Sequence, residues 1–88
     1  MSLENWDSLI KESVFKSLKK FPKKDSKYIM DAMEELSMNL YSGDIKRIKG
    51  ESNVWRKRVG NYRIFYEIHK TIRTIVVFKV ERRSSHTY

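Results

Sequence analysis

The chain has 88 residues, of which 40% are hydrophobic and 34% charged, and its formal net charge is +8 at pH 7. The length suits a single domain over residues 1–88, and the apolar content excludes disorder of the whole chain. With no cysteine and two separate histidines, disulfides and a zinc site are excluded, so we expect no metal and no cofactor. Neither a membrane-spanning run nor a secretion signal is recognisable, which predicts a cytoplasmic protein.

The positive charge is confined to one half of the chain. Residues 1–43 contain seven Lys, no Arg and seven acidic residues, whereas residues 44–88 contain five Lys, seven Arg and four acidic residues. Every arginine therefore lies in the second half, and the planar guanidinium is well suited to bidentate contact with phosphate. This asymmetry favours a polyanionic partner, although a solvated basic surface or a surface for an acidic protein would have the same composition.

The first half predicts a short strand followed by two helices. Residues 5–10 alternate weakly, as in a strand. A helix ends at Pro22, and a cap at Asp25 or Ser26 opens a second helix that ends at Ser42-Gly43-Asp44. The apolar positions recur at helical spacing; they are Ile10, Val14, Leu18 and Phe21 in the first helix and Ile29, Ala32 or Met33, Leu36 and Leu40 in the second.

The second half predicts four successive strands. Residues rich in β-branched and aromatic side chains are separated by short turn segments, and they span 45–49, 54–59, 62–69 and 74–81. Helices followed by strands are typical of an α+β domain. We expect a two-helix N-terminal hairpin packed on one face of a twisted, mainly antiparallel sheet of four to five strands.

Three arginines are expected to share the face of the sheet that the helices leave uncovered. Residues two apart point the same way in a strand, so Arg56 and Arg58 would lie about 7 Å apart on one face, close to the phosphate spacing of a nucleic acid strand. On the next strand Arg63 and Glu67 share one face, and the apolar set Tyr62, Ile64, Tyr66 and Ile68 shares the other. Glu67 or Glu81 could neutralise Arg63, which is the structural alternative to an anion site. Trp55 and Tyr62 could stack on bases, but core positions are expected for both.

The C-terminal segment contains groups suited to RNA cleavage. Attack of a 2′-hydroxyl on the adjacent phosphate requires removal of one proton, stabilisation of negative charge and protonation of the leaving oxygen. Arginine can supply only the stabilisation, because its pKa is too high for proton exchange. His86 is the first choice as acid or base, with Tyr88 or Glu51 as the second, and this chemistry needs no metal.

The motif Arg-x-Arg-Val-Gly-x-Tyr-Arg at residues 56–63 resembles the core of the RelE/ParE superfamily of bacterial toxin–antitoxin systems. The first-helix segment 14–22, the strand 76–80 and the terminal Arg82-Arg83 with Tyr88 are similar to the same superfamily, so the resemblance covers nearly the whole chain. It implies a compact α+β fold, an antitoxin that wraps and silences the toxin, and, for RelE-type members, cleavage of mRNA in the ribosomal A site.

Site residues follow from the resemblance position by position. It implies that Arg63, Arg82, His86 and Tyr88 are catalytic, since Arg82 precedes Tyr88 by the expected six residues. His86 is similar to the His of YoeB-like members, although Thr87 separates it from the terminal tyrosine. The basic pair of the family's strand corresponds to Arg56 and Arg58, although family members often carry Lys there, and Arg83 is the second candidate for the C-terminal arginine. Lys49, Lys57 and Arg83 complete the set of basic residues that we expect to bind RNA.

Three functions remain open from the sequence. The first is a type II toxin acting as a ribosome-dependent, metal-independent mRNA endoribonuclease, with a cognate antitoxin and mRNA as partners. The second is a ParE-like inhibitor of DNA gyrase without catalytic groups of its own. The third is a decayed toxin or a plain antitoxin partner that retains the fold alone. The nuclease hypothesis further predicts that all seven arginines gather on one exposed face of the sheet.

Overall fold

A computed structural model describes residues 6–41 and 43–82 of the chain. Two helices and five strands follow one another in the order β1, α1, α2, β2, β3, β4, β5. Their bounds are Asp7–Ile10 for β1, Glu12–Lys20 for α1, Lys23–Met38 for α2, Asp44–Arg47 for β2, Val54–Val59 for β3, Tyr62–His69 for β4 and Thr74–Arg82 for β5. No helix within these ranges is long and apolar enough to cross a membrane.

The two helices form a hairpin joined by two residues. Lys19 and Lys20 occupy the last turn of α1, where positive charge interacts favourably with the helix dipole. The predicted cap of α2 at Asp25 or Ser26 is wrong, because the helix begins three residues earlier with Pro22 as its N-cap. Proline tolerates this position because the first N–H groups of a helix have no intrahelical partner. The Ser26 hydroxyl instead donates a hydrogen bond to the Leu18 carbonyl at 2.6 Å, which ties the two helices together.

The five strands form one mixed sheet in the order β1-β5-β4-β3-β2. Strands β2 to β5 pair antiparallel with their neighbours, and β1 pairs parallel with β5. The predicted bounds of β3 and β4 are confirmed, and the weak N-terminal strand is present as Asp7–Ile10. The main difference is at β2, which begins at Asp44 and ends at Arg47, two residues before the predicted end. The expected α+β architecture is therefore confirmed.

The core lies between the helices and one face of the sheet. It consists of Val14, Leu18, Ile29, Ala32, Met33 and Leu36 from the helices and Val59, Tyr62, Ile64, Tyr66, Ile68, Ile75, Val77 and Val80 from the strands. Strand β4 alternates strictly between buried and half-buried positions, as expected for a strand packed on one side only. The helices thus cover one face, and the opposite face, called the open face below, presents the odd-numbered residues of β4.

Candidate nucleic-acid interface

The open face carries the three arginines that the sequence predicts for it. Arg58 and Arg63 are direct cross-strand partners, and Arg56 lies opposite Phe65. Both strands alternate at these positions with buried residues of the helix-covered face. Directly opposed side chains on one face of an antiparallel pair lie about 4.5 to 5.5 Å apart at their Cβ atoms. The predicted clustering of these three arginines is confirmed.

Carboxylates neutralise part of the positive charge of this cluster but not all of it. Asp44 Oδ2 lies 2.9 Å from the guanidinium of Arg58, and Glu81 Oε1 lies 4.0 Å from Arg63 Nη1. Within residues 6–41 and 43–82, no carboxylate lies within ion-pair distance of Arg56. The side chains of these pairs are partly exposed, so each ion pair contributes little and can exchange for another anion. The cluster therefore retains capacity for phosphate.

Arg82 lies at the same end of the sheet as Arg58 and Arg63 but on the other side of it. Arg82 is the cross-strand partner of Tyr62, and its guanidinium carbon lies 6.0 Å from the centroid of the Tyr62 ring. Tyr62 belongs to the helix-covered face, where its hydroxyl donates a hydrogen bond of 2.7 Å to Asp25 Oδ2. Burial, followed by this hydrogen bond, raises the pKa of Tyr62. The structure thus brings Arg63 and Arg82 near each other in the sheet without placing both guanidiniums on the open face.

The prediction that all arginines share one exposed face is wrong. Arg47 lies on the edge strand β2, opposite Trp55 of β3 and on the side of the helices. Its Nε donates a hydrogen bond of 3.4 Å to the Glu51 carbonyl. Arg73 lies in the β4–β5 turn, and its guanidinium carbon lies 5.5 Å from the Trp6 ring centroid. Half of the six arginines in the described ranges are on the open face. The seventh, Arg83, lies outside the described residues, as do His86 and Tyr88.

Lys57 does not belong to the interface, contrary to the sequence prediction. It lies on the helix-covered face with a relative exposure of 4%, and its Nζ donates a hydrogen bond of 2.9 Å to Glu35 Oε1 of α2. Its neighbours Arg56 and Arg58 point to the opposite face because side chains alternate along a strand. Lys49, also predicted to bind RNA, is exposed in the loop between β2 and β3.

The aromatic residues divide as the sequence predicts. Tyr62 is buried in the core, with its ring 4.7 Å from that of Phe21. Trp55 is half-buried against the core and makes an edge contact with Tyr41 at 5.5 Å. Neither ring is available on the open face, so neither is a platform for base stacking there.

The chain is similar to known toxins over most of its length. Residues 3–86 match the family described as ParE toxin of type II toxin-antitoxin system, parDE. The chain belongs to this family. Toxin RelE3 of Methanocaldococcus jannaschii is 40% identical over 81 residues, which cover 88% of this chain and 90% of the relative.

Solved structures of related toxins share the fold. A chain of the RelB–RelE antitoxin–toxin complex from Methanococcus jannaschii is 35% identical, with a TM-score of 0.62 over 84% of this chain and 88% of that chain. A chain of the archaeal RelE–RelB complex from Pyrococcus horikoshii OT3 has a TM-score of 0.80 at 20% identity, covering 94% of this chain and all of that chain. The second similarity is evidence for the fold alone.

The toxin carries a polar pair on the open face that the sequence reasoning missed. His69 Nε2 and Glu67 Oε1 are 2.8 Å apart, and both side chains are about one-third exposed. Glu67 therefore pairs with the imidazole, and Glu81 is the carboxylate beside Arg63. The i, i+2 spacing on β4 was a usable signal, because such residues share a face. No group of three or more metal-ligating side chains occurs in the described ranges.

Proposed function

We propose that this toxin is an mRNA endoribonuclease that acts on the ribosome and uses the open face to bind the RNA backbone. The cluster formed by Arg56, Arg58 and Arg63 carries this proposal, which needs these three arginines on one face and not all seven. Three guanidiniums on adjacent strand positions repel one another, and the repulsion is offset when a polyanion occupies the face. The enzyme acts in the cytoplasm, where translating ribosomes are found.

Arginine accounts for only one of the three tasks of the reaction. The RNA 2′-oxygen attacks the phosphorus, the bond from phosphorus to the 5′-oxygen breaks, and the products carry a 2′,3′-cyclic phosphate and a 5′-hydroxyl. Arg63 stabilises the negative charge that develops on the phosphoryl oxygens. Arg56 and Arg58 hold the backbone on either side. The proton leaving the 2′-hydroxyl and the proton reaching the 5′-oxygen need side chains that can accept or donate a proton, which a guanidinium cannot do.

His86 and Tyr88 are the groups we assign to proton transfer, as the sequence predicts. Strand β5 ends at Arg82, which is the cross-strand partner of Tyr62, the residue directly before Arg63. Four and six residues of extended chain reach at most about 14 and 21 Å, which is enough to bring either side chain to the phosphate at Arg63. Arg82 and Arg83 would add positive charge at this end of the sheet.

A cognate antitoxin is the second partner in the proposal. The M. jannaschii and P. horikoshii relatives were both solved as complexes of RelE with RelB. A segment that covers the open face would bring carboxylates or apolar side chains against the arginine cluster and so compete with RNA. Binding of the antitoxin would then silence the toxin without any change in its fold.

Translation in vitro tests the proposal. In a translation extract, the wild-type toxin is expected to produce discrete mRNA cuts, and Arg63→Ala is expected to reduce them at least 100-fold, a typical loss when a group that stabilises transition-state charge is removed. Arg47→Ala is the matched control, since it removes the same charge from the side of the helices. Intact mRNA with the wild-type toxin, or equal loss in both variants, would contradict the proposal.

Inhibition of DNA gyrase is the alternative function. It is favoured by the family match, because the matching family is named for ParE toxins. A supercoiling assay with purified gyrase separates the two functions. Inhibition of supercoiling by the wild-type toxin, together with intact mRNA in the translation extract, would replace the nuclease proposal with the gyrase one.

A further inference from the structure

A depression of about 440 Å³ lies on the helix-covered side of the sheet, opposite to the open face. It is found where β3 begins and β4 ends, just beyond the C-terminal end of α2. This volume is typical of sites for small ligands. The walls combine two cations, two small polar side chains and two aromatic rings; these residues are Arg47, Lys70, Ser52, Asn53, Tyr41 and Trp55.

The charge of this depression differs from that of others on the helix side. Its charged wall residues are Arg47 and Lys70, and no carboxylate among the described residues lines it. Two other depressions on this side, of about 560 and 430 Å³, both include Asp31 and Glu34 in their walls. Glu51, which is close in sequence to Ser52, lines a different depression on the open face. The depression at Arg47 and Lys70 therefore suits an anion.

The donor groups of these two cations are available to such an anion. Arg47 Nε donates a hydrogen bond of 3.4 Å to the Glu51 carbonyl, which orients the guanidinium and leaves both Nη groups. Within residues 6–41 and 43–82, neither these Nη groups nor Lys70 Nζ forms an ion pair or a hydrogen bond. A guanidinium fork binds phosphate oxygens in pairs, and an ammonium binds phosphate as a point charge.

The polar side chains of the depression belong to a loop whose backbone is tied to the strands. The Ile48 N–H donates to the Val54 carbonyl at 2.9 Å, and the Ile68 N–H donates to the Asn53 carbonyl at 3.0 Å. The hydroxyl of Ser52 and the side-chain amide of Asn53 can both donate hydrogen bonds. Because the loop is held in place before a ligand binds, little ordering cost remains to be met on binding.

Two aromatic rings form the remaining wall. Trp55 is the cross-strand partner of Arg47, and Tyr41 contacts its ring edge-on, with centroids 5.5 Å apart and planes inclined by 70°. The Tyr41 N–H donates to Asn39 Oδ1 at 3.1 Å, which orients the residue after α2, and Tyr41 remains 50% exposed. An exposed aromatic ring beside a phosphate site can stack on a nucleobase whatever its identity.

The number of cations favours a phosphate monoester over a phosphodiester. A monoester carries about −1.5 to −2 charges at pH 7 and has three terminal oxygens that accept hydrogen bonds. A diester carries a single negative charge. Arg47 and Lys70 together balance the charge of a monoester, and their donors match its three terminal oxygens. The ligand therefore combines a terminal phosphate with a planar ring.

We infer that this depression binds a free nucleoside monophosphate. The terminal phosphate lies at Arg47 and Lys70, the base stacks on Tyr41, and Ser52 and Asn53 donate hydrogen bonds to the phosphate and the ribose. The site lies on the side of the sheet opposite to the arginine cluster, so it neither depends on the proposed function nor makes Arg47 part of the RNA-binding surface.

Calorimetric titration of the wild-type toxin with four small probes at low salt tests this site. The probes are adenosine monophosphate, adenosine, inorganic phosphate and the deoxydinucleotide d(ApA), whose internal phosphodiester carries one negative charge. Adenosine monophosphate is expected to bind at least fivefold more tightly than each of the others, since one stacked base or one exposed ionic contact contributes a factor of about five. Absence of binding by adenosine monophosphate would overturn the site, as would equal affinity for d(ApA) or for inorganic phosphate.

Four variants separate the phosphate from the base. Arg47→Met and Lys70→Met are each expected to weaken binding of adenosine monophosphate about fivefold. Lys46→Met is the matched control, because this neighbour of Arg47 on β2 points to the open face, and its affinity is expected to stay within about twofold of wild type. Tyr41→Leu is expected to weaken adenosine monophosphate about fivefold and to leave the affinity for inorganic phosphate unchanged. Circular dichroism checks that every variant is folded.

A competition experiment separates this site from the open face. A fluorescent uridine oligonucleotide without a terminal phosphate is expected to stay bound to the wild-type toxin at saturating adenosine monophosphate. Displacement of the oligonucleotide would place the mononucleotide on the open face and overturn the inference. Equal losses in Lys46→Met and Arg47→Met, or an unchanged affinity for adenosine monophosphate in Tyr41→Leu, would also overturn it. None of these measurements involves mRNA cleavage, so the nuclease proposal and this site can fail separately.

Discussion

Two adjacent residues of β3 provide a direct test of the open face. Arg56→Met and Lys57→Met each remove one positive charge, but Arg56 lies on the open face and Lys57 is buried under α2. Because the two residues are adjacent, both changes have nearly the same long-range electrostatic effect on RNA binding. Any difference in RNA binding therefore reports direct contact with phosphate.

The salt dependence of binding gives the expected magnitude. Each phosphate contact to a single strand contributes about 0.7 to the slope of log K against log salt, so three arginines give a slope of roughly 2.1. Between 50 and 200 mM salt, affinity would then fall roughly 18-fold for the wild-type toxin and for Lys57→Met, but only roughly 7-fold for Arg56→Met. Titration of a uridine oligonucleotide at four salt concentrations measures these slopes. Equal slopes for the two variants would show that net charge, and not the open face, governs binding.

Three other changes test the packing that holds this face in place. Glu35→Ala is expected to destabilise the fold by about 1 to 3 kcal/mol and more than Lys57→Met, because it removes a carboxylate that offsets the charge of a buried ammonium, whereas Lys57→Met removes the buried charge itself. The 57% exposure of the Glu35 side chain places the value below that of a fully buried pair. A larger loss of unfolding free energy in Lys57→Met than in Glu35→Ala, measured by urea unfolding, would refute this. Burial raises the pKa of Tyr66 to about 12, so its contribution to stability is complete below pH 10 and is lost as pH rises toward 12. Between pH 8 and pH 11 the wild-type toxin should lose about 1.4 kcal/mol more than Tyr66→Phe, and parallel urea curves for the two would contradict the assignment. Gly43→Ala should lower the free energy of unfolding more than Gly50→Ala in the same assay. Both glycines have a positive φ, but only at Gly43 would an added Cβ meet the Lys57 side chain, at 2.9 Å. Equal losses of stability would show that the Lys57 side chain moves aside without cost.

The wrong predictions concern cations whose side-chain direction depends on neighbouring strands and helices. Sequence spacing indicated correctly that Arg56, Arg58 and Arg63 share a face, because alternation is a property of one strand and the short β3–β4 turn set the register. The same alternation places Lys57 on the other face of the sheet, but its positive charge suggested a surface position. Glu35 on α2, 22 residues away, provides a carboxylate that offsets the cost of burying it.

Spacing arguments could not predict that Phe78 lies on the open face, for a different reason. Phe78 and Lys79 are consecutive, so regular alternation assigns them to opposite faces. The bulge opposite Phe65 overrides that pattern, and a bulge depends on the pairing of two strands, not on the residues of one.

By itself the sequence determined the order of helices and strands, the two-sided character of the sheet and the position of the basic half, because these follow from local periodicity and composition. Tertiary structure decided which cations reach solvent, since burial of a charge depends on a partner that the fold brings from far along the chain. It also placed Arg82 beside Tyr62 and moved Phe78 to the open face, because strand pairing sets both positions.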